Sequence, residues 1–100
     1  DQIREISPSL IIDVVAEHFN ISKEDITSKK RNSEYVIPRQ IIMYLCRQMT
    51  DTTFQMIAAY LGKKDHTTVI HGVEKIEEKI RTDEDLRNKI ETIQKKLSPS

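Results

Sequence analysis

Between Phe54 and Ile80 the chain carries two short apolar patterns separated by one polar turn, and that succession limits its folding more than any other stretch does. Phe54, Ile57, Ala58 and Leu61 recur at helical spacing. Val69, Val73, Ile76 and Ile80 do the same at i, i+4, i+7 and i+11, which places them in one stripe facing a core. Gly62-Lys63-Lys64-Asp65 lies between the two. Gly62 suits the left-handed residue that closes a helix, where a side chain would be strained. Asp65 suits the N-cap of the next helix, because its carboxylate can accept from the free amides of the first turn and an anion there complements the helix dipole. A helix therefore starts at His66. With about 100° of rotation per residue, Thr67, Thr68, His71, Glu74 and Lys75 fall on its outward side, and His66 lies on the flank near the tip.

The rest of the chain also reads as helix. Ser7 followed by Pro8 is an N-cap followed by a residue whose missing N–H costs nothing at the first helical position. Ile11, Val14, Val15 and His18 or Phe19 then form a stripe that ends near Asn20. Ser22-Lys23-Glu24-Asp25 resembles a capping box and predicts a short helix over 23–27, with Ile21 and Ile26 turned inward. Ser28 to Glu34 has no apolar residue and reads as an exposed basic loop. Pro38 is expected in the first turn of a third helix with Ile41, Ile42, Leu45 and Met49 inward and Arg39, Gln40 and Arg47 outward. A last helix over about 83–97 repeats Leu86, Ile90, Ile93 and Leu97 until Ser98-Pro99 stops it. No strand, repeat or linker is evident. One hundred residues with two glycines suit one helical domain, 1–100, with a single modest core. No apolar run approaches the ~20 residues of a membrane span, and a secretory leader is not expected, so the location read from the sequence is cytoplasmic.

Formal net charge is zero, which at first argues against a nucleic-acid partner. The total hides a division. From Lys29 to Lys64 there are seven basic residues against Glu34 and Asp51, a balance of +5, so the remainder carries −5, with a share of its acids in Glu74, Glu77, Glu78, Asp83, Glu84, Asp85 and Glu91. The sequence thus separates charge, and a directed field is expected.

A helix, a glycine-hinged turn and a second helix with a polar leading end make a helix-turn-helix, in which the first helix braces the second against DNA. The second helix carries suitable groups. Thr67 and Thr68 offer hydroxyls and methyls, His66 and His71 can donate or accept at base edges, Asp65 can accept from a cytosine amino group, and Lys64 can reach guanine or phosphate. Each alone is compatible with a solvated helix start; the basic loop and the two arginines strengthen the DNA reading. A metal site is disfavoured, because His66 and His71 stand about 140° apart on the helix and one-face ligation needs i, i+3 or i, i+4 spacing. No glycine-framed serine is present, and Cys46 among Tyr44, Leu45 and Met49 reads as a buried thiol, so no enzyme activity is expected.

Arg31, Pro38-Arg39-Gln40 and Lys64-Asp65-His66-Thr67-Thr68-Val69-Ile70-His71, in this order and spacing, resemble the C-terminal DNA-binding domain of bacterial chromosomal replication initiators of the DnaA family. The resemblance covers about residues 10–80. It implies binding to short asymmetric origin elements called DnaA boxes, with Arg31 in the minor groove and Asp65, His66, Thr67, Thr68 and His71 in the major groove. Arg39, Gln40, Arg47 and Lys64 map to phosphate contacts, with Lys29 and Lys30 supporting the loop. ATP is implied only for an AAA+ region that this chain does not contain, and other replication proteins are implied as partners only through such regions. The chain departs from the family pattern in the turn, where members usually have two glycines and an arginine before the Asp-His pair. Gln55 also replaces a common proline, and Glu34 adds an acid to the basic loop.

The expected molecule is therefore an all-α bundle of five to six helices containing a Trp-repressor-like helix-turn-helix, monomeric, nucleoid-associated, without cofactor or metal. It binds double-stranded DNA in the initiation and regulation of replication. Two other readings compete: a helical protein-interaction domain whose acidic helices carry the function, and a dimeric repressor using the same motif on a palindrome.

Overall fold

The computed structural model describes residues 6–29 and 31–98, and within them the chain is all helix. Six helices follow in order: α1 (Pro8–Phe19), α2 (Lys23–Ile26), α3 (Ser33–Met49), α4 (Phe54–Tyr60), α5 (His66–Lys79) and α6 (Glu84–Leu97). Most starts are set by local cap chemistry. Ser7, Ser22, Thr53, Asp65 and Asp83 each accept a backbone amide from the first turn of the helix they precede. Asn20 ends α1 in the left-handed conformation, as a short polar residue can.

The third helix corrects the sequence reading. It begins at Ser33, so Glu34 belongs to its first turn and Pro38 lies inside it. Pro38 cannot donate to the carbonyl of Glu34 four residues back, but Glu34 is exposed and water can serve that carbonyl. Half-burial of Tyr35, Val36 and Ile37 stabilises the added turn, and the basic loop contracts accordingly.

α3 is the centre of the molecule. Ile41, Ile42, Met43, Leu45 and Cys46 are all buried, and α1, α2, α4 and α5 pack around them. Burial pushes the Cys46 thiol up to about 12, so it stays protonated and acts as a small apolar group. α3 and α5 pack tightly at Gly72, where a Cβ would collide with the Met43 sulfur. α6 lies across α1 and closes the core with Leu86, Ile90, Ile93 and Leu97, the four residues its spacing predicts. No described helix is long and apolar enough to cross a membrane.

Candidate nucleic-acid interface

α4, the turn and α5 form the helix-turn-helix. Ile57 and Ala58 of α4 and Leu61 at its C-cap are buried, as are Val69, Val73 and Ile76 of α5, so both helices are held from behind. Gly62 sits between them at φ +69°, a left-handed conformation that L side chains rarely adopt. A Cβ at this position would also stand 3.1 Å from the Thr27 carbonyl oxygen, so the turn is pressed against the end of α2. That contact brings the turn and the basic loop together.

The leading end of α5 points outward. Lys64, Asp65, His66, Thr67, Thr68 and His71 are all exposed. Asp65 Oδ1 accepts from the Thr67 amide at 2.9 Å, and His66 Nδ1 stands 4.0 Å from the same oxygen. The Asp65 carboxyl is held below its usual range, first by the Thr67 amide, then by the Thr67 hydroxyl and by the nearby charge of His66 and His71. An ionised cap is thereby secured at the tip of the helix.

The basic residues cluster around the turn. Lys29 and Arg31 are exposed, and Lys63 is half-buried with its Nζ donating to the Ser28 carbonyl at 3.4 Å. Burial, then Arg39, Arg31 and Lys29, all lower the proton affinity of Lys63, so these cations stand close enough to repel one another. Lys30 lies outside the described residues. A cavity of about 130 Å³ is lined by Val36, Arg39, Gln40, Met43, Lys63 and Thr68, which places Gln40 of α3 and the turn beside the exposed face of α5.

Arg39 requires a second correction. It is 5% exposed and not turned outward, because its guanidinium donates to the carbonyls of Ile26 and Asp25 and to the Ser28 hydroxyl. It ties α3 to the end of α2 beneath the basic loop, a structural role that helical spacing alone does not disclose. Arg47 is exposed, with Nη1 donating to the Thr52 carbonyl at 3.0 Å and the guanidinium 4.3 Å from the centre of the Phe54 ring. It is thus set beside the start of α4 by a cation–π contact. Lys63 is the residue that the sequence reading left without a role. The signal for it was the departure of the turn from two glycines.

A family model described as the bacterial dnaA protein helix-turn-helix matches residues 8–76. The chain belongs to this family. The relatives that resemble this DnaA-type domain agree with that assignment. It is 40% identical over 100 residues to the chromosomal replication initiator protein DnaA of Lachnoclostridium phytofermentans, covering 100% of this chain and 22% of that protein. The protein of the same name from Oenococcus oeni is 48% identical over 83 residues, 83% of this chain and 18% of the relative. That of Limosilactobacillus reuteri (strain DSM 20016) is 46% identical over 93 residues, 93% of this chain and 21% of the relative. The chain spans about a fifth of the length of these curated relatives. The family-model match ends within α5, whereas the similarity to the Lachnoclostridium phytofermentans protein extends over α6.

Proposed function

We propose that this domain binds double-stranded DNA sequence-specifically, at origin elements of the DnaA-box type, and serves the initiation and regulation of chromosomal replication. The observation that carries the reading is the juxtaposition of the exposed leading end of α5 with the cation cluster around Gly62. Thr67, Thr68, His66, His71 and Asp65 supply base-edge chemistry for the major groove, and Arg31, on the adjoining loop, reaches the minor groove. Lys64, Arg47, Gln40 and Lys29 hold the phosphates beside the groove, and these contacts set register while the bases set sequence. Lys30 belongs with Lys29 on this reading. Arg39 acts from behind, by fixing the loop.

Catalysis forms no part of the proposal. The domain works as a monomer in the cytoplasm on an asymmetric site, and ATP binding and assembly with other replication proteins belong to other regions of full-length initiators. Selection from a randomised duplex pool tests this directly. The expected result is enrichment of one asymmetric sequence. A palindrome bound by a dimer in sedimentation points to a repressor, and no enrichment favours an interaction domain. On the selected duplex, Thr68→Ala is expected to cost about 1 to 3 kcal/mol, with no loss on a scrambled duplex at the same salt. Equal losses on both would remove Thr68 from base reading.

A further inference from the structure

We propose that Lys63 binds a DNA phosphodiester at the seam between the helix-turn-helix turn and the basic loop, between the elements that read the two grooves. The inference rests on the DNA-binding reading and assigns a residue that this reading leaves unused. Three observations converge on it. The Lys63 ammonium has three N–H donors, and among the described residues it makes one hydrogen bond, a long one to the neutral Ser28 carbonyl. Among the described residues, the charges that act on it are those of Arg39, Arg31 and Lys29, all cations, so an anion beside the ammonium is favoured. It also lines the same small cavity as Gln40 and Thr68, so its side chain runs from the exposed face of α5 to the Ser28 carbonyl at the start of the basic loop.

A phosphate oxygen accepting from Lys63 and facing Lys29 or Arg31 relieves the repulsion within the cluster. DNA binding therefore raises the proton affinity of Lys63 relative to the free domain. The test uses the whole domain and the duplex enriched by selection. Lys63→Ala is expected to weaken binding roughly tenfold, the value of one charge-assisted hydrogen bond, and to reduce the salt slope by about one. Lys63→Arg keeps the slope, and Lys95→Ala, which removes an exposed charge from α6, leaves both quantities unchanged. Replacing phosphates one at a time by neutral methylphosphonates is expected to reveal one position whose loss is no longer additive with Lys63→Ala. Titration of the Lys63 Cε resonance should move upward in the complex. An unchanged slope and fully additive methylphosphonates, with wild-type binding intact, would overturn the Lys63 assignment and leave the DNA-binding reading standing. Absence of wild-type binding overturns that reading, and the assignment with it.

Discussion

Arg39 shows how far a single residue's role depends on partners distant in sequence. Its guanidinium spans two backbone carbonyls and a hydroxyl at the end of α2, and burial lowers its proton affinity while Asp25 partly restores it. Removing a buried donor of this kind leaves acceptors without partners. Arg39→Ala is therefore expected to destabilise the domain by about 2 to 3 kcal/mol in urea denaturation, and Arg39→Lys should recover little, since an ammonium cannot reproduce the planar fork. Binding per folded molecule should keep its salt slope; a slope reduced by one would return Arg39 to the phosphate contacts. The caps at Ser7, Ser22 and Asp65 were legible in the sequence because each acts within three residues of itself. Arg39 was not, because its acceptors lie 11 to 14 residues away and a charged side chain on a helix reads as solvated.

Among elements, the turn between α4 and α5 is the most constrained. Gly62 combines a positive φ with close approach to the Thr27 carbonyl, so any side chain there meets both a conformational and a steric cost. Gly62→Ala is expected to lower stability by about 1 to 2 kcal/mol, and Gly62→Asn by less, because asparagine tolerates the left-handed region. Thermal denaturation separates them, and equal losses would show that the contact with Thr27 outweighs the dihedral. The bracing and recognition helices were legible from periodicity, and so was their hinge. The true start of α3 was not: a proline inside a helix contradicts the local rule, and only tertiary burial of Tyr35, Val36 and Ile37 makes the extra turn worthwhile. Gly72 was also invisible as a packing residue, since its role depends on the Met43 side chain of α3 lying directly against its backbone.

At the scale of the whole molecule, α6 completes the core although the family match ends before it. Ile93 is fully buried, and Ile93→Ala is expected to cost about 2 to 5 kcal/mol while leaving DNA affinity per folded molecule unchanged. A matching loss of affinity would mean that α6 also shapes the interface. Where α6 meets α1, Lys96 Nζ stands 3.2 Å from His18 Nδ1, a distance at which the ammonium donates to the neutral ring. Burial, then Lys96 and Lys89, depress the His18 pKa below its ordinary 6.5. The folded state then binds this proton more weakly than the unfolded chain, so the stability contribution is present above pH 6.5 and is lost as pH falls through the lower folded value. His18→Gln should flatten that part of the stability profile in urea melts taken across the window. Charge separation along the chain was readable from the sequence, but its gathering into one cluster depended on the contact of Gly62 with α2.

That contact also fixes a dimension. With the turn seated on Thr27 and Lys63 tied to Ser28, the fold sets the spacing between the start of the basic loop and the tip of α5. On the proposed function, a duplex of different twist or groove width can be accommodated only by deforming itself. Sequences that bend or overwind easily at the step between the two contacts are then favoured even though no side chain touches that step.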